Sequence, residues 1–227
     1  MSEKKAGKKY QAVIFDLDGV ICHTDHYHYL AWKAIADELG VYFDEKINSR
    51  LRGVSRSESL EIILELYEGV LSADQKKDLM EKKNSIYRRY LKELTEQDLE
   101  AQVKSTMDAV RSRGLKLAVG SSSKNTALIL ERLGLKDYFD AVADGNEILH
   151  SKPDPEVFLL ASAKIHIAPE QCLVVEDARA GLLAAAAAGM DGAAIGEAAH
   201  CSPSDQQIAK YSLEKFSDLL AIVDSIK

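Results

Sequence analysis

Short, almost uninterrupted apolar runs recur along the second half of this chain, and one more stands near its start. Residues 10–15 (YQAVIF) have too little polar alternation for a half-exposed strand and instead match a strand buried on both faces of a parallel sheet. Runs of the same kind lie at 115–119, 141–143, 173–175 and 193–195. Segments of helical spacing with helix-ending residues separate them: 125–133 before Gly134, 155–164, and the alanine-rich 182–188 before Gly189. From about residue 97 onward this alternation predicts an α/β fold, a doubly wound parallel sheet.

The stretch 24–96 has a different period. Tyr27, Leu30, Ala31 and Ile35, then Leu60, Ile63, Leu64 and Tyr67, then Leu79, Ile86, Tyr90 and Leu91 recur at helical spacing with no strand-like run among them. The expected organisation is therefore an α/β core made of residues 1–23 and 97–227, with residues 24–96 as a small all-α cap inserted after the first strand. An insert at that point sits above the carboxyl ends of the strands, where open α/β sheets bind ligands.

Composition narrows the function. The chain has 227 residues, 46% hydrophobic and 29% charged, with 4 Pro and 13 Gly, which excludes disordered and fibrous classes. A net charge of −7 argues against a polyanion as partner, so nucleic acid is not expected. Cys22, Cys172 and Cys201 show no CxxC spacing, and neither a disulfide framework nor a zinc site is suggested. No run approaches the ~20 apolar residues of a membrane span, and MSEKKAGKKY is not followed by the apolar core of a signal peptide. A soluble, cytoplasmic, monomeric protein without a membrane partner is expected.

The strand ends carry the candidate chemistry. The first run closes on Asp16-Leu17-Asp18-Gly19, two carboxylates two residues apart where strand becomes loop. Burying such a pair needs a cation or a proton to compensate it, although two Asp in a surface loop would mean nothing. The second run leads into Ser121-Ser122-Ser123-Lys124-Asn125, which offers hydroxyls and backbone N–H groups to an anion or simply caps a helix at Ser123. Lys152 lies in SKPDP, an extended loop where a lysine is ordinarily solvated, and Glu176-Asp177 closes the LVV run, where the pair could merely cap the next helix. Each signal alone is weak, but all four fall at the carboxyl ends of candidate parallel strands.

In that order FDLDGV, Ser121, SKPDP and VVEDARAG resemble the four motifs of the haloacid dehalogenase superfamily of phosphoryl-transfer enzymes, over essentially the whole chain. Within it, DLDGVICHTDHYHYLAWKAIADELG, LRGVSRSESL, EKKNSIYRRY and GSSSKN are similar to the cap and core loops of the β-phosphoglucomutase family. The resemblance implies a Rossmann-like core and Asp16 as nucleophile forming an aspartyl phosphate, with Asp18 as general acid/base. It implies that Ser121 and Lys152 hold the transferring phosphate, and that one Mg²⁺ is bound by Asp16, Asp18 (through its main-chain carbonyl), Glu176 and Asp177. Thr24 and His28 would align Asp18 at the hinge. Trp32 would pack near the sugar, Ser55 and Arg56 would bind a remote phosphate, and Arg52, Lys83, Asn84, Ser123, Lys124 and Asn125 would complete the substrate and phosphate contacts. The implied substrate is a small sugar phosphate, with β-glucose 1,6-bisphosphate as activator and intermediate. A phosphatase of the same fold is the alternative, and a non-catalytic binding module is disfavoured because the acidic set is complete. Three positions depart from the pattern: Arg52 stands where lysine is familiar, DLEAQVKSTM lacks the usual Pro-Gly turn, and Ala178 replaces a common Ser.

Overall fold

In β1 (Ala12–Phe15) all four residues are buried, with Val13 and Phe15 facing one apolar layer and Ala12 and Ile14 the other. This central strand belongs to a computed structural model that describes residues 10–52, 54–200 and 208–225; Cys201 and the first nine residues lie outside them. β2 (Lys116–Gly120) and β4 (Cys172–Glu176) flank β1, β3 (Ala141–Ala143) lies outside β2, and β5 (Asp191–Ala194) and β6 (Tyr211–Ser212) extend the other side. All pairs are parallel, in the order β3-β2-β1-β4-β5-β6. The chain thus has the doubly wound α/β sheet read from its apolar runs. The 193–195 run pairs two residues earlier than expected, at Asp191, a polar start that the Tyr10 hydroxyl and Lys210 hold by hydrogen bonds. The two residues of β6 carry no period and give no signal in the sequence.

Helices cover both faces. α5 (Ala101–Ser112) supplies Val103, Met107 and Val110 to one layer, together with α6 (Thr126–Arg132) and the terminal α9 (Leu219–Asp224). α7 (Glu156–Ile165) and α8 (Arg179–Ala187) cover the other, where Ala184 and Ala185 let α8 approach the sheet closely. Between β1 and β2 the chain makes α1 (Asp25–Leu39), α2 (Glu45–Ser49), α3 (Arg56–Leu64) and α4 (Ala73–Leu91). Their own apolar cluster, built on Trp32, Ile35, Phe43, Leu60 and Ile63, is separate from the two layers on the sheet. Capping boxes at Ser55/Glu58 and Ser72/Gln75 start α3 and α4. After α4, where no Pro-Gly turn occurs, a single 3₁₀ turn at Glu96–Asp98 leads back to α5, and Arg132 donates to the main-chain oxygens of Lys92 and Leu94 to fasten that return to α6.

Register aligns the strand ends. Phe15 lies opposite both Val119 and Val175, so Asp16, Gly120 and Glu176 leave the sheet at one level. Two glycines let the carboxylates sit there. At Gly19 (φ +89) a β-carbon would lie 2.1 Å from the Asp177 carboxylate, and at Gly181 in α8 it would lie 2.0 Å from that of Glu176. Replacing Gly181 by Ala adds helix propensity worth up to about 1 kcal/mol. The clash outweighs it, because Glu176 is buried and fixed by Lys152 and the Ala178 N–H and cannot swing aside. Gly181→Ala is expected to destabilise by a net ~1–3 kcal/mol in urea unfolding, the range of an overpacked core; a gain in stability would show that the Glu176 seat yields.

Candidate active site

The level strand ends put three buried carboxylates, Asp16, Glu176 and Asp177, close enough for one oxygen of each to fall within 4.8 Å of the others. Lys152 enters from the loop before α7. Although such a lysine is ordinarily solvated, this one is 1% exposed, donating to Asp16 and, at 2.8 Å, to Glu176. Burial works to lower the Lys152 pKa, but the two carboxylates outweigh it and raise it, so the ammonium stays charged. Even with the Arg52 guanidinium 3.9 Å from Asp177, the three carboxylates outnumber the cations and the cluster is short of positive charge. Burial first, then the neighbouring carboxylates, push Asp177 and Glu176 upward, and burial does the same to Asp16 against the pull of Lys152. A set of hard oxygen donors with surplus negative charge fits a small hard divalent cation, which would relieve the repulsion that a proton otherwise relieves.

Asp18 is held differently. A tight loop, with Gly19 N–H donating to the Cys22 oxygen at 2.7 Å, turns the chain so that Thr24, at the start of α1, donates to Asp18 Oδ1. The Tyr87 hydroxyl of α4 donates to the same oxygen at 3.3 Å, and His28 Nε2 lies 4.0 Å away. Lys83 Nζ sits 2.7 Å from His28 Nδ1. Burial, then Arg56, hold the Lys83 amine well below the usual lysine range against the pull of Asp18. Burial, then Lys83 and Arg56, hold His28 well below the usual histidine range and keep it neutral. Burial and then the charge of Asp16 push Asp18 up to about 7, where a carboxyl can both give and take a proton.

A cavity of about 490 Å³ separates these strand ends from the helices between β1 and β2. Of the residues singled out in the sequence, Asp16, Asp18, His28, Trp32, Arg52, Ser55, Arg56, Lys83, Asn84, Ser121, Ser123, Lys124, Asn125, Lys152, Glu176 and Asp177 all line it. Thr24 lies fully buried behind Asp18 instead. Ser121 Oγ accepts from the Ser123 N–H at 3.1 Å and Ser123 Oγ from the Asn125 N–H at 3.2 Å, which leaves both hydroxyl protons for an acceptor. Ser55 Oγ is likewise occupied as acceptor by the Glu58 N–H at the start of α3. Trp32 is 2% exposed and packs in the helical cluster, with Lys83 Nζ 5.0 Å from the centre of its ring. Arg52 reaches from the loop after α2 to Asp25 at 3.5 Å and Asp177 at 3.9 Å, its two amino groups bridging the helices and the acidic cluster.

Tyr87, whose ring centre lies 4.0 Å from that of His28, and Asp25, whose charge raises Asp16, Asp18 and Asp177, are not singled out in the sequence and fall there only inside the longer stretches EKKNSIYRRY and DLDGVICHTDHYHYLAWKAIADELG. Because the Thr24 and Tyr87 hydroxyls both favour ionised Asp18, Thr24→Val and Tyr87→Phe are each expected to move the Asp18 limb of the pH–kcat profile to higher pH. An unmoved limb in both variants would show that it belongs to another group.

Comparison with known proteins places this geometry. The model of the haloacid dehalogenase-like hydrolases matches residues 10–189. A β-phosphoglucomutase of Bacillus subtilis is 40% identical over 190 residues, covering 82% of this chain and 84% of that protein. A phosphorylated carbohydrates phosphatase of Thermotoga maritima is 33% identical over 184 residues, 80% and 82% of the two chains. Among solved structures, a β-phosphoglucomutase of Clostridium difficile superposes with a TM-score of 0.87 at 34% identity, covering 95% of this chain and 96% of that one. Among the described residues no helix is long and apolar enough to cross a membrane.

Proposed function

Because the chain belongs to the haloacid dehalogenase-like hydrolase family, whose relatives here are sugar-phosphate mutases and phosphatases, we propose that it interconverts β-glucose 1-phosphate and glucose 6-phosphate. The route is through bound β-glucose 1,6-bisphosphate, with phosphorylated Asp16 as the active species. One observation carries the reading: a single cavity has the buried carboxylates Asp16, Glu176 and Asp177 at one end and the Arg56 guanidinium at the other. A phosphatase needs only the first; a mutase needs both, because the sugar must stay bound by one phosphate while the other is transferred.

The free 6-hydroxyl of bound β-glucose 1-phosphate loses its proton to Asp18 while its oxygen takes the phosphoryl group from Asp16, whose bond to phosphorus breaks, and the bisphosphate results. In the return step an oxygen of Asp16 bonds to the phosphorus of the 1-phosphate as the phosphorus–oxygen bond to the sugar breaks, and Asp18 gives its proton to the departing sugar oxygen. Asp16, Glu176, Asp177 and the Asp18 main-chain carbonyl would hold one Mg²⁺, which supplies neutralisation of phosphate oxygens so that a carboxylate can approach them. Lys152 and Ser121 hold those oxygens in line, while Thr24 and His28 keep Asp18 oriented. Residues 24–96 act as a cap that shields the aspartyl phosphate from water, with Arg56, Ser55, Ser123, Lys124 and Asn125 around the remote phosphate, and Trp32, Arg52, Lys83 and Asn84 beside the sugar. The alternative, a phosphatase for small sugar phosphates, is supported by the Thermotoga relative.

Incubation with Mg²⁺, β-glucose 1-phosphate and a trace of the bisphosphate is expected to yield glucose 6-phosphate in excess over free phosphate; the reverse ratio supports the phosphatase. Asp16→Asn is expected to abolish both transfer and covalent labelling, since an amide oxygen is a poor nucleophile. Arg56→Ala is expected to lower mutase kcat/KM by ~10² to 10³, about 3 to 4 kcal/mol of transition-state binding. Hydrolysis of acetyl phosphate, which has no second phosphate, should fall less than ~3-fold. Equal losses in the two assays would place Arg56 in the fold or in the core site.

A further inference from the structure

The side-chain oxygen of Asn84 joins three elements. Arg56 Nη2, from the first turn of α3, donates to it at 2.9 Å, and Asn125 Nδ2, from the core loop before α6, donates to the same atom at 2.9 Å. Because guanidinium only donates, this atom of Asn84 must be the oxygen, and Asn125 must present its amide nitrogen. Arg56 is substantially buried, and burial works to lower its pKa, with exposed Glu81 contributing an opposing field but no hydrogen bond. Lys83, the residue beside Asn84, differs: its amine is buried against His28 Nδ1 and the rings of Trp32 and Tyr87, and burial, then Arg56, hold its pKa well below the usual lysine range. Among the described residues the Arg56 guanidinium forms no ion pair with a carboxylate, although it is partly desolvated. A partly buried cation is ordinarily paired, so one held by a neutral acceptor requires an explanation.

We propose that Asn84 is a positioning residue which holds Arg56 and Asn125 across the boundary between helices and core with a neutral acceptor, so that a substrate phosphate meets an oriented cation with its full charge available. The inference rests on the reading of Arg56 as ligand of the remote phosphate. A carboxylate at this place would orient Arg56 equally well, but the arriving dianion would have to displace it or lie against it. The amide orients without neutralising. It also explains how the remote phosphate can favour the assembled cavity: the three elements that Asn84 joins are already in register, and less ordering is left for the ligand to impose.

The charge argument reverses the usual order of mutational severity. Asn84→Asp is nearly isosteric and keeps an acceptor for both donors, whereas Asn84→Ala removes it. If Asn84 were only a structural link, Ala would be the worse change. With glucose 6-phosphate as the probe and calorimetry as the readout, Asn84→Ala is expected to weaken binding by ~3- to 10-fold through lost orientation, and Asn84→Asp by ~10²-fold through neutralised charge. Thermal melts confirm folding of each variant, and Asn84→Gln against Asn84→Glu provides the same neutral-against-charged comparison should the Asp variant not fold. Asp binding as tightly as Ala, or tighter, while Arg56→Ala still loses ~10²-fold, overturns the role of Asn84 and leaves the remote-phosphate reading standing. Wild-type affinity in Arg56→Ala overturns both.

Discussion

A buried ammonium between two carboxylates governs the arrangement of this molecule. Lys152 cannot be left alone in the interior, and neither can Asp16 or Glu176, because each charge taken from water without a partner costs several kcal/mol. Their pairing fixes where the loop before α7, the end of β1 and the end of β4 must meet. Other features accommodate that meeting. Phe15, Val119 and Val175 share one level in the sheet, Gly181 leaves room for Glu176, and Gly19 leaves room for Asp177. The third carboxylate is what turns a structural ion pair into a site. Asp16 and Glu176 already exceed the one charge of Lys152, Asp177 adds to the surplus, and together the three offer oxygen donors to a cation at the point where a phosphate would have to approach a carboxylate.

The other end of the cavity is built on the opposite rule. There the Arg56 guanidinium has only an amide oxygen as its partner, and the buried Lys83 amine an imidazole nitrogen. An anion of two phosphates would therefore find one end where it must be helped past carboxylates and one where its charge is unopposed. This asymmetry suits a reaction in which one phosphate reacts and the other only holds, because binding energy gathered at the remote end can be used to orient the reacting end. It also explains why the middle of the cavity is lined by groups that orient rather than bind strongly. His28 is kept neutral by burial first and then by Lys83 and Arg56, and so adds no charge that would bias which end a phosphate occupies.

Much of this is legible in the sequence, and the reason lies in the sheet. A parallel strand buried on both faces leaves an unmistakable apolar run, and its carboxyl end is where a polar residue first becomes useful. Asp16, Ser121 and Glu176 each stand at or just beyond the end of such a run, so no knowledge of register is needed to find them. Lys152 is harder, since nothing local distinguishes it from a solvated lysine; it stands out only in series with the other three. Tyr87 and Asp25 are hidden because their roles are pairwise across the chain: Tyr87 meets a residue 69 positions away. Buried aromatic residues at helical spacing look alike whether their hydroxyl touches a carboxylate or nothing. The separate edge strand β6 and the single-turn α2 have too few residues to show a period.

The placement of Asp18 shows how the two halves depend on one another. Its carboxyl is raised by burial and by Asp16, both supplied where the core meets the overlying helices, and lowered by hydroxyls that reach it from Thr24 and from α4. If the helices moved away, Asp18 would regain water and lose the Tyr87 bond together. The larger of those changes is rehydration, the reverse of the largest influence on the group, so its pKa would fall toward that of an ordinary aspartate and the proton needed by a leaving sugar oxygen would be gone at neutral pH. On the proposed mechanism, Asp18 would serve as acid only while the helices cover it. Transfer from a phosphorylated Asp16 to water in an uncovered cavity would then lack its proton acceptor, and protection of that phosphate would not rest on physical exclusion of water alone.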